Sequence, residues 1–150
     1  MIENRLTEAM VRNVVLTWYS STNEHRPVEE FEPLLSEDVE MRYPNKKEPF
    51  TGKVAFRDWY ADVLRIYFDE THEVESWDIK LDGNRAVAVV TVRWEARSWP
   101  VGSARSKYEA SLSRQRFEIE RVVEDGRVYI RKKIAETFER TAPIFAVGAW

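Results

Sequence analysis

Two Asp-Gly pairs, Asp82-Gly83 and Asp125-Gly126, constrain the fold of this sequence more than any other feature. Asp-Gly supplies the backbone conformations of a tight reversal, and each pair lies between runs of β-branched and aromatic residues, so each predicts an antiparallel hairpin. Trp77, Ile79 and Leu81 lead into the first pair. Residues 86–92 leave it apolar on both faces, which suits a central strand covered on each side, and the strand continues through Arg93, Trp94, Glu95 and Ala96. Trp99-Pro100-Val101-Gly102 predicts the next turn, residues 108–123 a long strand, and residues 127 to about 138 the last one. Beyond Asp69 the chain reads as sheet.

The first half has a different period. Leu6, Met10, Val14 and Trp18, with Val11, Val15 and Tyr19 beside them, recur at three- and four-residue spacing and predict a helix over residues 4–20. Pro27 opens a short helical segment over residues 28–35, which Pro33 limits to a turn or two. Val39, Met41 and Tyr43 alternate with Glu40 and Arg42 as a half-buried strand, and Pro44, Asn45, Pro49 and Gly52 break it into a loop. A second helix follows with Phe56, Trp59, Tyr60, Val63, Leu64, Tyr67 and Phe68 on its apolar side. This order predicts one α+β domain over residues 1–150, with helices packed on one face of a curved, mostly antiparallel sheet. A chain of 150 residues can bury roughly two-thirds of its unfolded surface, so such a domain needs no covalent staples.

Composition removes several classes of function. The absence of cysteine excludes a disulfide framework, a thiolate metal site and a cysteine nucleophile, and the expected location is the cytoplasm. The first ten residues carry Glu3, Arg5 and Glu8 without the apolar core of a signal peptide, and no segment has the roughly 20 apolar residues of a membrane helix, so no membrane partner is expected. Net charge is −3, which argues against a nucleic-acid partner. The first 75 residues hold 9 Lys/Arg against 16 Asp/Glu and the last 75 hold 14 against 10, as for an acidic helical layer on a more basic sheet. His25 and His72 lack metal-ligand spacing, so no metal is expected. His72 reads as an exposed loop histidine, with a proton-shuttle role if the end of the second helix borders a pocket. No phosphate-cradling loop or nucleophile motif is present, and no cofactor is expected.

The run from Val14 to Leu64, VVLTWYSST followed by FEPLLSEDVEMRYPNKKEPFTGKVAFRDWYADVL, resembles the nuclear-transport-factor-2-like superfamily in its SnoaL-like and ketosteroid-isomerase-like branch. The shared order is a first helix ending in an aromatic, a strand opening Leu35-x-x-Asp38-Val39, a residue-Pro step and a glycine that opens a helix. A late hairpin completes it, here Phe117-Glu118-Ile119 followed by Glu124-Asp125-Gly126-Arg127-Val128. The resemblance spans about residues 4–140 and implies a cystatin-like cone. Its chemistry does not transfer residue by residue. The isomerase base is an Asp before the proline, where this chain has Tyr43; the oxyanion donors are a Tyr late in the first helix and a protonated Asp on a late strand, where this chain has Trp18 and Gln115. Steroid isomerisation is therefore not expected.

The resemblance does imply a cavity lined by Trp18, Tyr43, Trp59, Tyr60, Gln115 and Phe117, suited to a small, flat hydrophobic molecule, with Tyr43 and Trp18 as donors that polarise a carbonyl. The competing reading is plain core, with the polar tips of these aromatics meeting the backbone. Arg93, Glu95 and Arg97 read as an outer-face ion ladder or dimer contact, Arg114, Arg116, Glu118 and Glu120 as the solvated side of their strand, and Arg131-Lys132-Lys133 as a solvated edge. The apolar tail with Ile144, Phe145, Val147 and Trp150 reads as a lid or a subunit contact. Two functions stand open. One is a cofactor-independent lyase or isomerase on a cyclic or polyketide-like carbonyl compound, with an unidentified base; the other is a non-catalytic ligand-binding or dimerisation module, with a homodimer formed through the sheet.

Overall fold

The computed structural model describes residues 5–43 and 48–141. Helix α1, Glu8–Asn23, starts where the Thr7 hydroxyl accepts the Met10 N–H at 3.2 Å and buries Val11, Val14, Val15, Trp18, Tyr19 and Thr22. Leu6, expected inside that helix, precedes it and is buried, with its N–H donating to the Gly83 carbonyl at 2.9 Å. Two single turns of 3-10 helix, Val28–Glu30 and Glu32–Leu34, match the proline-limited segment. Strand β1 is Leu35–Arg42 and β2 is Phe50–Thr51. Helix α2, Lys53–Ile66, begins after Gly52, whose φ of 92° favours glycine while its N–H donates to the Val39 carbonyl at 2.8 Å. That glycine fixes the start of α2 against β1.

Four long strands complete the chain: β3 Tyr67–Asp82, β4 Arg85–Ser98, β5 Lys107–Arg121 and β6 Val128–Arg140. They form a six-stranded sheet in the order β2-β1-β6-β5-β4-β3, antiparallel except where β1 runs parallel to β6. The core lies between helices and sheet, with Val11, Val15, Phe31 and Phe56 on one side and Ala88, Val90, Phe117, Ile119 and Ile130 on the other. This is the expected α+β arrangement.

One boundary differs from expectation. Tyr67 and Phe68, which continue the apolar stripe of α2, open β3 instead, paired with Ser98 and Arg97 of β4. The ladder to β4 overrides the local helical pattern, and β3 runs unbroken from Tyr67 into the Trp77-Ile79-Leu81 segment. The apolar tail from Ile144 and most of the proline-containing loop after Tyr43 lie outside the described residues. Among the described residues no helix is long and apolar enough to cross a membrane.

Candidate functional site

Irregularities in strand register decide what faces the helices, and two of them set the phase of His72 and Lys133. On β3, Trp77 and Ile79 pair with Val90 and Ala88 on the helix-covered face. Strict alternation back from Trp77 would turn Glu75 and Glu73 inward. Glu75 is instead an extra residue, because Val74 pairs with Val92 while Ser76 pairs with Thr91, and the phase switches so that Val74, His72 and Glu70 face inward. On β6, Ile130 pairs with the buried Ile119, and alternation would next turn Lys132 inward. Arg131 is the extra residue there, so Lys132 sits opposite Glu118 and Lys133 opposite the buried Phe117.

The result is a cavity of about 450 Å³ between α1, α2 and the sheet. Trp18 and Thr22 of α1, Tyr43 after β1, Trp59 and Val63 of α2, Glu70 and His72 of β3, Trp94 of β4, Ser111, Ser113 and Gln115 of β5, and Lys133 of β6 line it. Lys133 is 2% exposed, and its Nζ lies 4.4 Å from the ring centre of Tyr43, 5.7 Å from Phe117, 5.9 Å from Tyr19 and 6.0 Å from Trp18. Ring faces favour the ammonium, and so does the Glu70 carboxylate, but burial outweighs them and lowers the lysine pKa to about 7.

His72 is half-buried, stacked on Tyr19 with ring centres 5.0 Å apart. The Asn23 amide N–H donates to the His72 backbone carbonyl at 3.4 Å, which leaves the amide oxygen facing His72 Nδ1 at 2.8 Å. Nδ1 therefore carries the proton and Nε2 keeps its lone pair. Burial, reinforced by the charges of Lys133 and His25, pushes the His72 pKa down to about 3, so the imidazole is neutral at physiological pH.

Glu70 is 6% exposed. One of its oxygens accepts the Trp94 indole N–H at 2.9 Å, and the other lies 3.4 Å from His25 Nε2. Burial raises its pKa, while Trp94, His25 and Lys133 pull it back. His25 and Asp69, at φ of 52° and 51°, hold left-handed backbone on either side of this contact. Glu70 Oε1 and Ser111 Oγ are buried without a hydrogen-bond partner among the described residues, which leaves a second polar pole in the cavity. Gln115 is committed on two sides: its oxygen accepts the Tyr19 hydroxyl and its Nε2 donates to Ser113 Oγ at 3.3 Å, so one N–H remains for a ligand. Among the described residues no three His, Asp or Glu side chains form a metal-ligand group.

Of the residues selected from sequence, Trp18, Tyr43, Trp59 and Gln115 meet at this cavity. Tyr43 and Trp59 stack at 4.4 Å with 14° between their planes, making a flat wall, and burial raises the Tyr43 pKa so that its hydroxyl stays protonated as a donor. Tyr60 is not in the wall. Its hydroxyl donates to the Arg26 carbonyl at 2.5 Å, and its ring packs on Phe31 at 4.6 Å and Phe56 at 5.8 Å, so it belongs to the core. Phe117 is fully buried beneath Lys133 rather than lining the cavity. His72 is not on an exposed loop, because β3 extends through it. Lys133 is not on a solvated edge, because β6 lies between β1 and β5. Glu70 was not singled out in the sequence at all. On the opposite face of the sheet, Arg93 pairs with Glu75 at 2.8 Å, Arg114 with Glu136 at 3.2 Å and Arg116 with Glu118 at 3.1 Å.

Comparison with known proteins agrees with this geometry. The profile of the SnoaL-like domain matches residues 15–106. Solved structures with the same fold include a scytalone dehydratase-like protein from Novosphingobium aromaticivorans, 16% identical with a TM-score of 0.70 over 88% of this chain and 82% of that one. Another is hexachlorocyclohexane dehydrochlorinase LinA-type3 from Novosphingobium barchaimii, 15% identical with a TM-score of 0.69 over 91% and 90% of the two chains. A ketosteroid isomerase-like protein from Erwinia carotovora atroseptica is 13% identical with a TM-score of 0.69 over 92% and 100%. No curated protein sequence matches. These similarities establish the cone fold of the nuclear-transport-factor-2-like superfamily.

Proposed function

This chain belongs to the SnoaL-like domain family, and on that footing we propose that it is a small cytoplasmic lyase or isomerase that needs no cofactor and acts on a cyclic or polyketide-like carbonyl compound. The observation that carries the reading is the meeting of a neutral imidazole, His72, and a buried lysine, Lys133, in one aromatic cavity. The fold relatives support it by their names, which denote a dehydratase, a dehydrochlorinase and an isomerase. In this reading the substrate ring lies against the Tyr43–Trp59 wall. The lone pair on His72 Nε2 takes a proton from the carbon next to the carbonyl, and the electron pair moves onto the carbonyl oxygen. In this reading the Lys133 ammonium and the Trp18 indole N–H stabilise the enolate, with the Tyr43 hydroxyl turning to it from its 3.8 Å contact with Met41 Sδ. Collapse of the enolate expels a group from the neighbouring carbon, giving a lyase, or takes a proton at another carbon, giving an isomerase. A substrate hydroxyl donating to Glu70 Oε1 would satisfy the second polar pole.

The test is exchange of carbon-bound hydrogen. Cyclic ketones and β-hydroxy ketones incubated with the protein in deuterium oxide are expected to exchange their α-hydrogens by NMR, with loss of about 100-fold or more in His72→Gln. Ligands that bind, by NMR line broadening, without any exchange would favour the second reading, a non-catalytic ligand-binding or dimerisation module. That alternative draws support from Trp18 and Gln115 standing where the isomerase branch has titratable donors. A homodimer through the sheet face opposite the helices is part of the proposal; sedimentation is expected to give twice the 17.7 kDa chain mass, and a monomer would remove it.

A further inference from the structure

We propose that Lys133 is a nucleophile toward aldehydes and ketones, and that this cavity holds its carbonyl ligand covalently, as a protonated imine on the lysine nitrogen. The inference rests on the carbonyl reading above and specifies how the oxygen is activated. Its first support is position. The Arg131 bulge turns Lys133 out of the charged face of β6 and into the cavity, where Tyr43, Phe117, Tyr19 and Trp18 surround Nζ with ring faces. A lysine so placed has little water to hold its charge, and burial is the environment in which an amine becomes a working nucleophile. With a pKa of about 7, its free-amine fraction at neutral pH exceeds that of an exposed lysine by about three orders of magnitude.

The second support is a mismatch. His72 is bonded through Nδ1 to a neutral amide and held among buried groups, so it is a weak base, and its proton abstraction gains most where the neighbouring carbonyl is strongly activated. A protonated imine withdraws electrons far more strongly than a hydrogen-bonded carbonyl and makes the adjacent hydrogen correspondingly more acidic. The weak base and the amine therefore make sense together. In the step itself the Nζ lone pair bonds to the carbonyl carbon, and the carbonyl π electrons move to oxygen, giving a carbinolamine after proton transfer. One proton from solvent lets the hydroxyl leave as water, and the nitrogen lone pair forms the C=N bond. After proton removal, the enamine pushes its electrons out through the leaving group, and water hydrolyses the imine to regenerate the amine.

The experiment is reductive trapping. The full chain is incubated at neutral pH with naphthalene carbaldehyde and cyanoborohydride, which reduces an imine to a stable secondary amine, and the adduct is located by peptide mass mapping. We expect labelling of Lys133 at least about tenfold above each of the other six lysines, with loss of the adduct in Lys133→Arg and in Lys133→Met, both checked for native circular dichroism so that one folded control suffices. Labelling spread over the exposed lysines, or confined to the amino terminus, would overturn the proposal. The α-hydrogen exchange assay is run alongside. Exchange without an adduct on Lys133 would overturn the imine and leave the non-covalent elimination reading intact; an adduct without exchange would uphold the imine and remove that reading.

Discussion

Trp18 separates two compartments built from the same kind of residue. On one side its ring meets Phe31 at 5.1 Å and Phe56 at 5.4 Å, and Tyr60 closes a fully buried cluster whose one polar tip is bonded to the backbone. On the other side lies the cavity, where Tyr43 and Trp59 stack as tightly but the polar groups are left off balance: a depressed lysine, a depressed histidine, a raised carboxyl and a buried Ser111 hydroxyl without a hydrogen bond among the described residues. Aromatic content alone does not distinguish core from site. The distinction is whether the polar atoms are satisfied, because an unsatisfied buried group costs stability and a ligand that bonds to it recovers that cost.

The comparison is most exposed to truncation on the closed side. Phe56→Ala is expected to cost about 3–5 kcal/mol in urea unfolding; a cost below about 1 kcal/mol would show that the closed side does not depend on this cluster. On the cavity side the sign should reverse. Lys133→Met is expected to gain on the order of 1–3 kcal/mol at neutral pH, since it removes a poorly solvated amine. The pH dependence follows. The folded-state pKa of about 7 lies below the ordinary value of 10.5, so the unfolded chain binds a proton that the folded chain has released, and the stability of the parent rises from pH 7 toward 10.5. In the methionine variant that rise should disappear from the urea midpoints.

A paired substitution sharpens the contrast further. Tyr60→Phe leaves the Arg26 carbonyl without its donor and should cost about 1 kcal/mol, whereas Tyr43→Phe should change stability by less than about 0.5 kcal/mol and lower turnover at unchanged fold. Equal stability losses would erase the distinction between the two tyrosines. The most local effect is electrostatic: Asn23→Asp places a carboxylate beside the His72 Nδ1–H, and NMR titration should move the histidine upward from about 3.

Much of this molecule was legible in its sequence, and the part that was not has a single cause. The Asp-Gly hairpins, the apolar stripe of α1 and the alternation of β1 are local, so their residues declare them. The site depends on phase. From Trp77, alternation carried backward hides Glu70 and His72 on the outer face, and from Ile130, alternation carried forward hides Lys133, yet the extra residues Glu75 and Arg131 reverse the phase, and a further shift between Phe68 and Thr71 falls at Glu70 itself. Neither Glu75 nor Arg131 looks different from its charged neighbours, and only the pairing with β4 or β5 shows that it is supernumerary. Tyr60 differs for another reason: it shares the buried stripe of α2 with Phe56 and Val63, and spacing alone does not show that its hydroxyl reaches the Arg26 carbonyl.

Those two extra residues also bear on how such a site is inherited. Removing Glu75 or Arg131 would restore alternation at that point of its strand while leaving His72 and Lys133 pointing the way they do now, so a descendant that loses either residue keeps the same side chains in the cavity. Lineages that differ by one such loss would share a reactive centre in space and disagree about its interval along the chain. In this architecture, ancestry is recorded as a place on the inner wall of the cone, and the count of residues needed to reach it is free to drift.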